Sequence, residues 1–88
     1  MSTIELSGKL TIRRAEEILT RCRAAAAAGP VRVDWTGATS IDTAVLQILI
    51  AVSCEPGAEF TEPGAQVRET ISLAGLQSWL ESLTLSRG

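Results

Sequence analysis

Asp42 and Thr43 set a carboxylate beside a hydroxyl just where a strongly apolar run, Thr43 to Ser53, begins. If that run is a helix, the pair stands at its amino end. There the first backbone N–H groups lack intrahelical acceptors and the helix dipole is positive, so anionic charge is favoured. A phosphate on Thr43 would meet a favourable field that a mid-helix hydroxyl would not. The chemistry this suggests is modification and binding. Asp42 also has a plainer role, because it or Ser40 can serve as an N-cap that stabilises the helix by about 1 kcal/mol.

A catalytic centre is harder to assemble. Asp34, Asp42 and Cys54 are the remaining reactive candidates, but the chain has no histidine. It therefore lacks the commonest general base and the commonest transition-metal ligand. No Gly-rich phosphate loop and no metal-ligand spacing is present, so neither a cofactor nor a metal is expected. Nothing near Cys54 in sequence would lower its thiol pKa. Cys22 and Cys54 lie too far apart for a CxxC motif. A disulfide stays open, with two buried thiols in a reducing compartment as the preferred reading. The sequence therefore predicts a protein that is not an enzyme.

The positioning elements follow from composition and periodicity. Eighty-eight residues make one domain, expected over 1–88 with the tail frayed from about Ser86. With 45% hydrophobic and 20% charged residues the chain should fold rather than stay disordered. A net charge of −2 and a shortage of aromatics argue against nucleic acid. No signal peptide is expected from the opening residues, which read as a strand, and the longest apolar run, Ala44 to Val52, falls short of the ~20 residues needed to span a bilayer. A soluble, cytoplasmic protein without direct membrane insertion is expected.

Thr3 to Leu6 alternates as a strand ending at Ser7-Gly8. Leu10 leads into a first helix over Ile12 to Ala28 with Thr11 as its N-cap, and Gly29-Pro30 stops it. Arg13, Glu17 and Arg21 line its outer side at i, i+4 spacing. Val31 to Trp35 reads as a central strand covered on both faces, and Thr36 to Ser40 as the turn after it. The second helix runs from Thr43 to Ser53, with Pro56-Gly57 closing the segment. A weak strand at Ala58 to Thr61 precedes a third helix, Ala65 to Ala74, with Gly75 at C′ and Leu76 following. Gln77 to Leu83 is open between a short helix and a last edge strand. The β-α-β-α-β-α order predicts an α/β fold, a sheet with helices packed on it.

At about 100° per residue, Val45, Ile48, Leu49 and Val52 form the core side of the second helix, with Leu46 at its margin. Thr43, Gln47, Ile50 and Cys54 fall together on the other side. That row carries no charge. Either another helix covers it, or it stays open and meets a partner, and the missing charge favours the second.

Several of these stretches are together similar to the STAS domain, the module of sulfate transporters and anti-sigma factor antagonists. Val31 to Asp42 resembles the family's apolar strand, loop and terminal Asp; Asp42-Thr43-Ala44-Val45-Leu46 resembles the Asp-Ser-Ser/Ala-Gly-Leu that follows. Ile4 to Leu10 is similar to the opening strand and Gly-x-Leu corner, and Ile71 to Leu76 to the end of the third helix. The resemblance implies a small mixed β-sheet of about four strands with helices mainly on one face. In the antagonist branch it implies phosphorylation at the hydroxyl after the Asp, here Thr43, by a kinase-type anti-sigma factor, and release of that partner on modification. Partner contacts would then fall at Ser40, Asp42, Thr43, Gln47, Ile50 and Cys54. Ala44 and Val45 depart from the antagonist pattern. Asp42-Thr43-Ala44 also resembles the STAS subunit of bacterial lipid-asymmetry ABC transporters, which binds the transporter ATPase. Continuing with Leu46-Gln47, it is similar to small STAS proteins of chemotaxis-type signalling. A homodimer through an exposed strand edge is compatible with either.

Overall fold

The computed structural model describes residues 2–83 and 85–86. The strands are β1 (Ser2–Glu5), β2 (Gly8–Leu10), β3 (Val31–Asp34), β4 (Ala38–Ile41), β5 (Glu59–Thr61) and β6 (Leu85–Ser86). The helices are α1 (Ala15–Ala27), α2 (Thr43–Ser53), α3 (Ala65–Leu73) and α4 (Gln77–Ser82), with a 3-10 turn, Ile12–Arg14, leading into α1. The main sheet has the order β1-β3-β5-β6, and β2 pairs with β4 in a separate two-stranded sheet.

The α/β class holds, with strand direction simpler than the mixed sheet expected. Every pairing among the described residues is parallel. The reason lies in the connections, because each pair of partners is separated in sequence by at least one helix, and parallel neighbours need such a crossover.

Alternation along the strands gives the main sheet one apolar face. Ile4, Val33 and Phe60 sit side by side across β1, β3 and β5 and are buried. Thr3, Arg32 and Glu59 form the next row and point the other way, as do Glu5 and Asp34. All four helices bury side chains in the same cluster as the apolar face: Ile18 and Cys22 from α1, Val45 and Leu49 from α2, Val67 and Ile71 from α3, Leu80 from α4. Helices therefore cover one side. The expectation that β3 is covered on both faces is corrected, since Arg32 and Asp34 are only half-buried.

Local signals place most boundaries. Gly75 takes φ +78°. Its N–H donates to the Ser72 carbonyl and that of Leu76 to the Ile71 carbonyl, both at 3.0 Å, which closes α3 in a Schellman motif. Gln77 to Leu83, open in sequence, is mainly helix. Of the tail expected to fray from Ser86, Ser86 itself belongs to β6, and Arg87 and Gly88 lie outside the described residues. Two short strands are additions. β2 lies in what reads as a lead-in to the first helix, and β4 in what reads as a turn. Thr11 accordingly caps the 3-10 turn position and not α1, and makes no side-chain cap bond.

Candidate functional site

The β2–β4 pair builds the amino end of α2. Lys9 lies opposite Ser40 and Leu10 opposite Ile41. One residue on, the Asp42 N–H donates to the Leu10 carbonyl at 2.9 Å. This pairing brings the end of β2 and the start of α2 to one place, so that the 3-10 turn packs against α2.

Asp42 occupies the N-cap position of α2 in extended conformation, with φ −83° and ψ 154°, yet its carboxylate does not cap that helix. Its Oδ2 instead accepts the Ile12 N–H at 2.8 Å. The carboxylate thus satisfies a donor at the start of the 3-10 turn, while its carbonyl accepts the first helical bond from Leu46 N–H. Thr43 follows as the first helical residue and is exposed. The Arg14 guanidinium donates to the Ser7 carbonyl at 2.7 Å and to that of Lys9 at 3.4 Å, bracing the turn on β2.

Along α2 the buried side is Val45, Leu46, Leu49 and Val52. Leu46 is fully in the core rather than at its margin, and Ile48 is half-buried. The open side runs through Thr43, Gln47, Ala51 and Cys54. Ile50 is half-buried against the core, so it borders the strip. Ala51 was not among the residues singled out from sequence, although its i+4 spacing from Gln47 marks it. No charged residue occurs from Thr43 to Ser53.

Ser40, Asp42 and Thr43 are gathered at one end of this strip, all exposed. Cys54 sits at the other, roughly 18 Å from Asp42 along the axis. Its thiol contacts the Ile50 carbonyl at 3.6 Å. Both cysteines are free, with Cys22 buried and Cys54 exposed, so the expectation of two buried thiols is corrected. Cys54 follows the last turn of α2 on its open side, whereas Cys22 is one of the inward positions of α1. Burial pushes the Cys22 thiol pKa up, opposed by the nearby Arg21.

A second exposed apolar residue borders the site. Ile12 is 66% exposed on the 3-10 turn whose first donor Asp42 holds. Sequence periodicity assigned it to the first helix and gave no sign that it stands apart.

The site is thus an uncharged helix face on a one-sided α/β layer, with an exposed hydroxyl at its leading end. The chain belongs to the STAS domain family: the family model described as "Mlab, STAS domain" matches residues 1–84 of 88. No curated protein gives a significant match. No helix of the described residues is long and apolar enough to cross a membrane.

Proposed function

We propose that this STAS domain is a non-enzymatic, cytoplasmic docking module of the anti-sigma factor antagonist type, switched by phosphorylation of Thr43. The observation that carries the reading is the open, charge-free side of α2 with the exposed Thr43 at its head. Docking uses Ser40, Thr43, Gln47, Ile50 and Cys54, with Ala51 between them and Asp42 at the leading end. The partner is a kinase-type ATPase protein. A phosphoryl group at Thr43 adds about −1.5 to −2 charge to an otherwise uncharged contact and drives the partner off.

The test is a titration calorimetry series on a partner captured with the wild-type protein and then purified. Thr43→Glu should weaken binding at least tenfold, about 1.4 kcal/mol. Thr43→Ala should bind as the wild type does and accept no phosphate from the kinase. Undiminished binding by Thr43→Glu would sink the switch.

A second reading is a constitutive STAS subunit of a lipid-transporting ABC assembly. It draws support from the family model's own description as an Mlab domain and from the Asp42-Thr43-Ala44 run. The same strip would then hold a membrane ATPase permanently, or, in the other form of this reading, dock into a chemotaxis-type signalling assembly. Copurification with a membrane ATPase after mild detergent extraction favours this reading; phosphorylation of Thr43 by a soluble kinase favours the first.

A further inference from the structure

We infer that Trp79 and Ser53 are positioning residues for docking: together they set the last turn of α2, and with it Ile50 and Cys54, the tail of the strip that the partner grips. The inference rests on the docking reading above and gives a role in it to residues outside the strip. At the carboxyl end of a helix the last carbonyls lack intrahelical donors. The Cys54 N–H, which a continued α-helix would give to the Ile50 carbonyl, goes instead to the Ala51 carbonyl at 3.2 Å. The Ser53 hydroxyl donates to the Ile50 carbonyl at 2.6 Å, and the Cys54 thiol contacts the same oxygen at 3.6 Å.

Ser53 is in turn held from outside the helix. Its Oγ accepts the Trp79 indole N–H at 3.0 Å, a bond that reaches across 26 positions of chain. With that acceptor role filled, the hydroxyl proton is directed at Ile50. The indole is itself fixed, because its ring meets Trp35 and Phe60 edge-on. A relay therefore runs from the aromatic core through Trp79 and Ser53 to the Ile50 carbonyl, where two docking residues sit. Beyond it the chain enters an exposed turn, Glu55 to Gly57.

A turn that is already ordered loses little further entropy when a partner covers it. Released at Ser53, the same turn would have to be ordered by the partner, and the cost would appear as lost affinity. Thr43 lies three turns away at the other end of α2, so the relay governs grip and not the chemistry at the hydroxyl.

The experiment has one arm on the protein alone and one on the purified partner from the titrations above, with Thr43→Glu as reference. In native-state hydrogen exchange, Ser53→Ala and Trp79→Phe should each speed the Cys54 and Glu55 amides about fivefold, the scale of one net hydrogen bond. The Leu46 amide, at the head of α2, should exchange as in the wild type. Each variant should weaken binding by about the same factor. The double variant should be no weaker than Ser53→Ala, because removing the hydroxyl already severs the relay. Ser53→Thr keeps the hydroxyl and should recover most of the affinity. If the partner phosphorylates Thr43, KM should rise with kcat unchanged.

The outcomes separate. If Thr43→Glu and the relay variants all bind normally, the α2 docking reading fails and this inference with it. If Thr43→Glu binds weakly but Ser53→Ala and Trp79→Phe bind as the wild type does, only this inference is overturned. Exchange that quickens equally at Leu46 and Cys54 would reduce the relay to general stability and overturn it as well. Losses that add in the double variant would make Ser53 a direct contact, and a fall in kcat would carry the effect to Thr43; either result refutes the positioning role.

Discussion

Thr61 lies 3% exposed at the end of β5, one position past the inward Phe60 and so on the side of Asp34, and its neighbours explain why a polar side chain is buried there. Its hydroxyl oxygen accepts the Trp35 backbone N–H at 3.1 Å and donates to Asp34 Oδ1 at 3.4 Å. Its carbonyl accepts the Trp35 indole N–H. One threonine thus satisfies the backbone where β3 ends and fixes the orientation of a fully buried tryptophan. Removing the hydroxyl while keeping the shape leaves the Trp35 N–H buried and unpaired, which costs about 1–3 kcal/mol. Thr61→Val should accordingly lower the urea midpoint, and Thr61→Ser should recover most of it. The same group touches acid stability. Asp34 Oδ1 accepts the Thr36 hydroxyl at 2.7 Å and the Thr36 N–H at 3.2 Å. These bonds, the hydroxyl foremost, hold its carboxyl below the usual carboxylate range. A lowered pKa in the folded state stabilises the fold fully above the ordinary value, and the contribution fades as pH falls through the folded one. Asp34→Asn should therefore flatten the loss of stability below about pH 5 in denaturation curves run against pH.

At the scale of elements, what sequence reveals depends on how local the determining forces are. α2 runs from Thr43 to Ser53 as its apolar stripe and the flanking Asp42 and Pro56 require. The end of α3 is equally local. No atom lies within 4 Å of where a Cβ on Gly75 would sit, so its left-handed φ of +78° is the sole reason for glycine there. Gly75→Ala should cost about 1–2 kcal/mol in chemical denaturation with α3 and α4 unmoved; a smaller loss would mean that the Schellman turn opens without penalty. β2 and β4 are different. Each is three or four residues long, and β4 has buried ends and an exposed middle rather than alternation. Their reason for being strands is each other, across about 30 residues of chain, and no window of sequence holds that information. The site inherits the same limit. Thr43 and Gln47 could be placed on the open side from helical spacing alone. The bond from Ile12 to Asp42 could not, because only the β2–β4 pairing brings the two together. Ala51 escaped for a different reason: alanine fits either side of a helix, so its type says nothing about exposure.

The whole molecule has an uncommon balance for parallel strands, which usually have both faces covered. Here the outer row of Thr3, Arg32 and Glu59 is polar, and all the helices share one side. That side must therefore be tied together well, and the three aromatic residues of the chain do much of it. Trp35, just past the end of β3, and Phe60 of the adjacent β5 have ring centroids 5.2 Å apart. Trp79 from α4 meets both edge-on, at 6.3 Å from Trp35 and 6.2 Å from Phe60. Its indole N–H donates to Ser53 Oγ at 3.0 Å, so the same side chain also reaches the last turn of α2. Sheet, α2 and α4 are thus joined through one residue, at the opposite end of α2 from Thr43. Trp79→Ala should cost about 2–4 kcal/mol through lost burial and edge contacts, a large share of the 5–15 kcal/mol that typically separates folded from unfolded domains. Trp79→Phe keeps an aromatic edge and loses the bond to Ser53, so its loss should be nearer 1 kcal/mol. Trp35 is the remaining tryptophan in either variant, and its fluorescence during urea unfolding reports the core directly. If α4 is joined to the sheet as these contacts require, the Trp79→Ala transition detected by Trp35 should coincide with the loss of helical circular dichroism. A helical signal that falls before the Trp35 signal would instead mean that α4 detaches as a separate unit and that the aromatic cluster does not couple it to the sheet.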